Sequence, residues 1–348
     1  METQFLFATC QVGTERILKE ELAQRFPFLR PAFSRPGLIT FKDSREGAAV
    51  APDFELGAVF ARAYGACLGE VVTSADDQAK VMAEKILSLE PKPVAQLWLR
   101  DVAAPGDEGD ILEARAAEVA RLTKELGAFG VQVSAMPAVG QLVFDIVVVE
   151  DASWWLGVHK HSIDHPPSPI TPVHPPEAPS RAYLKVEEAI RWFGLSLREG
   201  DIAVELGSAP GGVVYALLAR GLKVTGIDPG EMAPAVKANK RFTHLAMSAF
   251  DVRENNLPKR VDWLLLDMNT EPELGLRAVE HQIKLGRMPT YGVILTLKLN
   301  QPSFSTRIPE LVNRVRSRGF PIVYAKQLTA NRREITLVGL TDRGLRRA

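Results

Sequence analysis

The sequence predicts an α/β protein: a C-terminal, mostly parallel sheet follows an N-terminal α+β region. After residue 180, near-continuous apolar strands alternate with helices, which is typical of a parallel sheet covered on both faces. The last two strands are joined only by TANRR, which is too short for a helical crossover and predicts an antiparallel hairpin. Residues 162–180 contain seven prolines and should form an extended connector between the halves.

Composition sets the broad class of protein. At 348 residues, the chain is long enough for two or three domains. Its hydrophobic content of 46% and charged content of 24% are those of an ordinary globular protein. No uncharged segment is long enough to span a bilayer, so we expect a cytoplasmic protein. Cys10 and Cys67 are the only cysteines, too few for a disulfide framework or a cysteine zinc cluster.

The net charge of zero conceals an uneven distribution along the chain. Residues 1–179 contain 16 Lys and Arg against 25 Asp and Glu, whereas residues 180–348 contain 26 against 17. A basic half suits a polyanionic partner, although scattered charge on two ordinary domains would give the same count.

The N-terminal half shows short units in which strands and helices alternate. We predict two small α+β domains at residues 1–65 and 66–161, a proline-rich linker at 162–179 and a C-terminal domain at 180–348. Neither N-terminal unit contains a recognisable catalytic set.

Four histidines lie close together near the linker: His159, His161, His165 and His174. No acidic or cysteine ligand accompanies them at helical or hairpin spacing. We therefore expect solvated linker histidines rather than a metal site.

The C-terminal half begins with a predicted helix, RAYLKVEEAIRWFG, at 181–194. Seven strands are then predicted, at IAVELG, KVTGID, THLAMS, VDWLLLDM, GVILTLKL, PIVYAKQL and EITLVGL. A parallel sheet that ends in an antiparallel hairpin resembles the architecture of Rossmann-like methyltransferases.

A glycine-rich turn follows the first of these strands, in the sequence VELGSAPGGVV. Glycine allows a backbone to approach a ligand closely, but the spacing here is not that of the dinucleotide fingerprint G-x-G-x-x-G. Asp228 ends the second strand, where a carboxylate can accept hydrogen bonds from ribose hydroxyls, and Asp251 follows the third strand, within reach of an adenine amino group. This pattern fits S-adenosylmethionine. The cofactor-binding residues predicted from this pattern are Gly207, Ser208, Ala209, Pro210, Gly211, Gly212, Asp228 and Asp251.

Lys298 is a charged residue at the end of the apolar fifth strand, where burial of an unpaired ammonium group would be costly. Asp267 ends the fourth strand, and both strand ends should border the ligand crevice of an open α/β sheet. Lys185 comes from the first predicted helix and Glu334 from the start of the last strand. Four separate elements therefore supply two lysines and two carboxylates.

This set resembles the K-D-K-E tetrad of the FtsJ-like ribose 2′-O-methyltransferases, and SAPGG is similar to the glycine loop of that family. The resemblance covers most of residues 180–340. It implies that Lys298 is the catalytic base and that Ser180, residues 209–212, Asp228, Asp251 and Asp267 contact the cofactor. Glu205 and Val213 depart from the family, which usually has aspartate and tryptophan there.

The N-terminal half narrows the resemblance further. A pair of small α+β units before SRAYLKVEEAI is similar to the members of this family that carry a ferredoxin-like piece and a THUMP domain and that modify bacterial large-subunit rRNA. This resemblance implies 2′-O-methylation of a cytidine in 23S rRNA.

The residues also account for such a reaction chemically. A ribose hydroxyl is a weak nucleophile that needs a base beside it, and a lysine can serve if its pKa is lowered. We expect Lys185 and partial desolvation to lower the pKa of Lys298. Asp267 would orient the ammonium group or the cofactor, and Glu334 would hold Lys185 or the ribose.

Three alternatives remain at this stage. Methylation of a pyrimidine ring carbon is disfavoured because the C-terminal half contains no cysteine, and methylation of a base amino group is disfavoured because DMNTEP lacks the usual aromatic turn. The same 2′-O chemistry on another RNA, such as tRNA, remains open. So does a catalytically silent RNA-binding assembly factor.

Several residues are candidates for RNA contact. Arginine suits phosphates and stacked bases, and the C-terminal half offers Arg314, Arg316, Arg318, Arg332, Arg333 and the segment DRGLRR at 342–347. Trp154 and Trp155 could stack on RNA, but we expect them in the core.

Overall fold

The computed structural model describes residues 3–72, 77–99, 108–133, 136–150, 153–167, 173–299 and 303–347. It forms two compact units, residues 1–170 and 171–348. The division falls inside the proline-rich segment that the sequence predicts as a connector.

The N-terminal unit is built on one mixed sheet. Its described elements are β1 (Phe5–Thr9), α1 (Glu15–Arg25), β2 (Leu29–Arg35), β3 (Leu38–Asp43), β4 (Tyr64–Val72), α2 (Gln78–Leu87), β5 (Val94–Leu99), α3 (Glu108–Ala128), β6 (Leu142–Glu150) and β7 (Ser153–Lys160). The strand order is β2-β3-β1-β4-β7-β6-β5.

Strand β1 connects the two predicted N-terminal pieces, because it pairs antiparallel with both β3 and β4. Residues on both sides of position 65 therefore share a single sheet, and a subdivision there stays a prediction. The sequence did not predict β2, whose Pro31 lacks a backbone donor. A register shift between Pro31 and Phe33 accommodates that proline.

The core of this unit lies between the sheet and helices α2 and α3. Met82 and Ile86 from α2 meet Leu122 and Leu126 from α3 in one buried cluster. Trp154 is 1% exposed and belongs to the same cluster, which confirms its expected place in the core.

Three of the four histidines near the linker are buried, so the expectation of solvated side chains is wrong for them, whereas His174 is half-buried. His159, His161 and His165 are at most 6% exposed. His159 Nδ1 lies 2.6 Å from Asp145 Oδ2, and the His159 and His165 rings stack with centroids 4.0 Å apart. The segment that follows β7 folds back against its own unit, and local sequence pattern does not report such a contact.

The C-terminal unit contains the second sheet. Its elements are α4 (Ala182–Trp192), β8 (Ile202–Leu206), α5 (Gly212–Ala219), β9 (Lys223–Ile227), α6 (Pro234–Lys237), β10 (Phe242–Leu245), β11 (Trp263–Leu266), α7 (Pro272–Lys284), β12 (Gly292–Lys298), α8 (Ser303–Thr306), α9 (Ile308–Arg316), β13 (Ile322–Lys326), β14 (Glu334–Leu340) and α10 (Asp342–Leu345).

The strand order of this sheet is β10-β9-β8-β11-β12-β14-β13. Neighbours from β10 to β12 are parallel, and β14 runs antiparallel between β12 and β13. The predicted parallel sheet with a terminal hairpin is confirmed.

Helices cover both faces of this sheet, which explains its apolar strands. Helices α4 and α5 contact β14 and β8, whereas α7 and α9 contact β11, β12 and β13. All four residues of β11 are buried. None of the helices among the described residues has the length and hydropathy needed to cross a bilayer.

Candidate active site

The four predicted site residues meet at the carboxyl ends of β11 and β12. Asp267 directly follows β11, and Lys298 is the last residue of β12. Because β14 is antiparallel to β12, its first residue, Glu334, lies opposite Lys298 in the sheet register. Helix α4 brings Lys185 to the same point.

Lys185 contacts both carboxylates of the cluster. Its Nζ lies 3.2 and 3.1 Å from the two carboxylate oxygens of Asp267 and 2.8 Å from Glu334 Oε2. The side chains of Lys185 and Asp267 are only 14% and 10% exposed. Ion pairs in such a partly buried place are screened less than surface pairs, so the cluster has a defined geometry.

Lys298 shares the same two carboxylates. Its Nζ forms a short contact with Glu334 Oε1 and lies 3.6 Å from Asp267 Oδ1. Two ammonium groups and two carboxylates thus form a closed cluster without net charge. Lys298 remains 15% exposed and can be reached from solvent.

The electrostatics of the cluster correct one expectation. Burial opposes the charged form of Lys298, but the carboxylates of Asp267 and Glu334 outweigh it and raise the pKa of Lys298. Burial likewise opposes ionisation of Glu334, yet Lys185 and Lys298 hold its pKa below the ordinary value. The expected lowering of the Lys298 pKa by Lys185 is therefore wrong for this arrangement, because the carboxylates dominate the local field.

The glycine loop runs beside this cluster, and its backbone needs glycine at two points. Gly207 has φ +82°, and a Cβ there would lie 2.7 Å from the carbonyl oxygen of Asp267. Gly211 has φ +116° and precedes helix α5. Such positive φ values and the close approach exclude a side chain, so the loop lies directly against the end of β11.

Asp228 fixes the other side of the loop. Its two carboxylate oxygens accept hydrogen bonds from Ala209 N at 3.2 Å and Gly230 N at 2.6 Å. Ser208 is 2% exposed, and its hydroxyl lies 3.6 Å from the sulfur of Met232. A carboxylate has further lone pairs, so Asp228 could still accept ribose hydroxyls.

Other predicted cofactor residues differ in how closely they join this loop. A Cβ at Gly212 would collide with the hydroxyl of Ser180. Ser180 therefore packs on the start of α5, which follows Pro210 and Gly211 in the chain. Asp251 is exposed in the turn after β10, with its backbone N bonded to Ser248 O at 3.0 Å. Its carboxyl makes no hydrogen bond to another described residue.

Glu205 is a buried acid that sequence reasoning noted only as a departure from the family. It lies in β8, is 1% exposed and borders a cavity of about 10 Å³ beside Lys185 and Asp267. Burial raises the pKa of Glu205 well above its ordinary range, and the charges of Asp267 and Asp228 add to this effect. Glu205 is a charged residue in the apolar strand IAVELG, just as Lys298 is in its own strand. That pattern in the sequence could have identified it.

Helix α4 also positions the hairpin that carries Glu334. The carboxylate of Glu188 accepts hydrogen bonds from Thr329 N at 2.8 Å and Ala330 N at 2.7 Å. Arg332 and Arg333 follow in the same turn and are exposed, and the carbonyl of Arg333 accepts from Leu299 N at 2.7 Å. Two exposed arginines therefore lie next to the lysine and carboxylate cluster.

Arg314 of α9 and Arg318, which follows that helix, are both paired with Glu280, whereas Arg316 is exposed. Glu280 accepts from Arg314 at 2.7 Å and from Arg318 at 3.0 Å. Hydrogen bonds from Arg314, joined by Arg318, lower the pKa of Glu280 to about 2 against the effect of burial. These two side chains are less available to RNA than the sequence suggests.

The described residues contain no group of three or more histidine, cysteine, aspartate or glutamate side chains arranged to hold a metal ion. The functional groups at the carboxyl edge are thus the lysine and carboxylate cluster and the adjoining glycine loop.

Comparison with known proteins shows which family this part of the chain is similar to. The FtsJ-like methyltransferase family matches residues 178–314. Ribosomal RNA large subunit methyltransferase M from Alkalilimnicola ehrlichii is 41% identical over 118 residues, 32% of this chain and 32% of that protein. Its namesake from Psychromonas ingrahamii is 34% identical over 172 residues, 47% of each chain. The matched region thus spans between a third and a half of these relatives.

Among solved structures, TrmN from Thermus thermophilus aligns with 97% of this chain and 99% of its own, at 15% identity and a TM-score of 0.33. Residues 178–314 match the FtsJ-like methyltransferase family, and this part of the chain is similar to ribosomal RNA large subunit methyltransferase M.

Proposed function

We propose that this protein is an S-adenosylmethionine-dependent RNA ribose 2′-O-methyltransferase that acts on a cytidine of large-subunit (23S) rRNA. One observation carries the proposal: Lys185, Asp267, Lys298 and Glu334 converge from four elements beside the glycine loop. Functional groups that converge at the ligand edge of a sheet are the expected mark of a reaction site.

The residues around the loop fit the proposed cofactor. The backbone of Gly207 and Gly211 leaves space that a side chain would fill, and Asp228 ends β9 where ribose hydroxyls would lie. Asp251 is exposed after β10 and free to turn toward an adenine ring. When bound, S-adenosylmethionine supplies an electrophilic methyl group on a positively charged sulfur.

Lys298 is the proposed base, although it carries its proton in the closed cluster. Lys298 already shares Asp267 with Lys185. A further positive charge beside that carboxylate, such as the one on the sulfur of the cofactor, would lower the pKa of Lys298 toward the range in which a base works. Its exposed fraction gives the ammonium group a route to release its proton to water. The neutral Nζ would then accept the proton of the ribose 2′-hydroxyl as the oxygen attacks the methyl group.

The other three residues hold this arrangement. Asp267 and Glu334 fix the direction of Lys298 Nζ, and Lys185 keeps both carboxylates in place. Their contribution is positional, since a reacting hydroxyl must be aligned with the methyl group. Assistance by a general base is worth about 10² to 10⁴ in rate.

RNA as the substrate is supported by the similarity to large-subunit rRNA methyltransferase M and by the exposed arginines of the hairpin. Arg332 and Arg333 could bind the phosphates that flank the target ribose. The N-terminal unit, for which we propose ferredoxin-like and THUMP-like parts, would capture the RNA.

The first test is transfer of a labelled methyl group from S-adenosylmethionine to unmodified large-subunit rRNA, followed by analysis of the nucleosides. We expect a 2′-O-methylated cytidine from the wild-type protein. Lys298→Ala should reduce transfer at least 10²-fold without weakening cofactor binding, measured by calorimetry.

Lys298→Arg is the matched control, since arginine keeps the positive charge but cannot act as a base at ordinary pH. It should be as inactive as Lys298→Ala. An active Lys298→Arg variant would remove Lys298 from the base role, and a base-methylated product would contradict ribose chemistry. Tight rRNA binding without any transfer would favour the silent assembly factor, and activity on tRNA alone would change the substrate.

A further inference from the structure

The amino ends of the C-terminal strands form a second charged surface, remote from the cluster of Lys185 and Lys298. In a parallel sheet, the segments that enter the strands lie at the edge opposite the carboxyl ends. Residues 253–262 lead into β11, and residues 285–291 lead into β12. Strand β12 has seven residues, so about 20 Å separates this edge from Lys298.

An open groove of about 530 Å³ lies at this edge. Three cations, Arg253, Lys259 and Arg287, line it with a single carboxylate, Glu254, together with Asn255 and Leu257. Arg253 and Lys259 are exposed, and within the described part of the chain neither forms an ion pair. The groove therefore presents positive charge that the protein does not neutralise.

Arg287 forms the fixed part of the groove, with a side chain only 12% exposed. It donates to the backbone carbonyls of Glu254 at 3.2 Å and Gly286 at 3.5 Å, and it lies 3.4 Å from the side chain of Glu254, which is 70% exposed. Its Nε is buried without a hydrogen-bond partner. Two backbone carbonyls and the ion pair with Glu254 thus hold the guanidinium in place at the wall of the groove.

Two acidic residues at the same edge are buried and paired. Asp262 is 1% exposed and lies 3.0 Å from Arg260. Asp201 is 8% exposed and lies 2.9 Å from Arg347. Buried carboxylates that are paired in this way do not compete with the groove for its cations.

The basic surface extends beyond the groove on both sides. Lys284, at the end of α7, is exposed, as are Arg343 and Arg346 in the segment that follows β14. Because β14 is antiparallel to β12, its carboxyl end lies at this same edge. These exposed cations therefore lie at the edge opposite the lysine and carboxylate cluster.

We propose that this groove, formed by Arg253, Lys259 and Arg287, binds the phosphate backbone of the RNA at a point remote from the methylated ribose. The proposal rests on the proposed function for its partner. A partly buried arginine, flanked by two exposed cations, suits a chain of phosphates. The substrate would then have to be long enough to extend from one edge of the sheet to the other.

The test uses the full-length protein and a labelled 40-nucleotide single-stranded RNA, with binding measured by fluorescence anisotropy between 50 and 300 mM salt. The variant Arg253→Gln with Lys259→Gln should bind about 10-fold more weakly at low salt. Its slope of log affinity against log salt should fall by about 1.4, since each phosphate contact in single strands contributes about 0.7.

The matched control removes the same two residue types away from this edge, as Arg277→Gln with Lys237→Gln. Both side chains are exposed, and this variant should bind RNA like the wild type. Glu254→Gln gives a test of opposite sign: loss of the only carboxylate in the groove should strengthen RNA binding. Thermal unfolding of each variant checks that the fold is kept.

The results separate this proposal from the proposed function. Equal salt slopes for the groove variant and the wild type, or no RNA binding by the wild type at 50 mM salt, would overturn the groove. Displacement of the RNA by polyglutamate at lower concentration than by unlabelled RNA would also overturn it, in favour of an acidic protein. If the wild type transfers no methyl group but the groove variant still binds RNA more weakly than the wild type, the proposed reaction is refuted and the proposed RNA contact at the groove is supported.

Discussion

Glu205 and Lys298 show how single charged residues are accommodated in apolar strands. Lys298 keeps its charge because Asp267 and Glu334 lie against it. Burial raises the pKa of Glu205, and the negative charges of Asp267 and Asp228 add to that effect. The same sequence signal therefore has two physical outcomes, decided by the sign of the neighbouring charges.

The state of Glu205 leads to a stability prediction. An acid with a raised pKa in the folded protein stabilises the fold fully below its unfolded pKa, and this contribution is lost as the pH rises. Glu205→Gln mimics the protonated form and avoids that loss. It should raise the free energy of unfolding in urea at pH 7, and the gain should shrink as the pH falls toward 4.

Glu205→Ala is the contrasting variant. It leaves a cavity and an unbonded backbone N–H, and it should cost about 3 kcal/mol at pH 7. Destabilisation by Glu205→Gln of the same size would show instead that the folded protein needs an ionised carboxylate.

At the scale of elements, the register between β12 and β14 creates the cluster. Lys298 and Glu334 lie opposite each other in that register, and a shift by one residue would turn Glu334 to the other face of the sheet. Helix α4 contributes twice, since Lys185 joins the cluster while Glu188 holds the hairpin turn. The cluster thus depends on pairing and packing between elements that are distant in sequence.

The turn after β8 leads to a prediction about Gly207. Gly207→Ala would combine a positive φ with a Cβ 2.7 Å from the carbonyl of Asp267. We expect a loss of about 3 kcal/mol in unfolding free energy, together with weaker cofactor binding, because Asp267 would be displaced.

Gly194→Ala introduces backbone strain without a steric collision, and so separates the two effects that Gly207→Ala combines. Gly194 has φ +59° with open space around it, so the substitution should cost only about 1 kcal/mol and leave cofactor binding unchanged. Equal effects of the two variants, measured by urea unfolding and calorimetry, would mean that contact with Asp267 is unimportant.

At the scale of the whole molecule, the two units differ in which titratable groups they bury. The C-terminal unit pairs its buried charges at the cluster and leaves cations exposed at the opposite edge. The N-terminal unit buries histidines instead. Burial, assisted by the neighbouring His159, lowers the pKa of His161 to about 4.

The pKa of His161 predicts loss of stability in acid. Above about pH 6.5 the side chain is neutral in both folded and unfolded protein. Below that value His161 binds a proton in the unfolded chain, but in the folded chain it does so only near pH 4. The fold should therefore lose about 3 kcal/mol between these two values.

His161→Gln removes this titration. Urea unfolding of the full chain should show a smaller decline between pH 6.5 and 4 for the variant than for the wild type. The difference between the two proteins should be constant from pH 7 to 8, where no proton is bound in either state. Parallel declines across the acidic range would mean that His161 is protonated in the folded protein.

Much of the fold was predictable because its signals are local. Apolar strands, alternating helices and the short TANRR connection gave the C-terminal sheet and its hairpin. Strand β2 was missed because Pro31 weakens its pattern, and the register shift that rescues it depends on β3.

By itself, the sequence determined which residue types stand at the strand ends: lysine at 298, aspartate at 267, glutamate at 334 and the glycine loop. Side-chain period and strand length fix those positions locally. Only the tertiary structure decided the electrostatic state of these groups, because a pKa depends on the distances to charges from other elements. It also decided that Arg314 and Arg318 are bound to Glu280 while the free cations collect at the opposite edge.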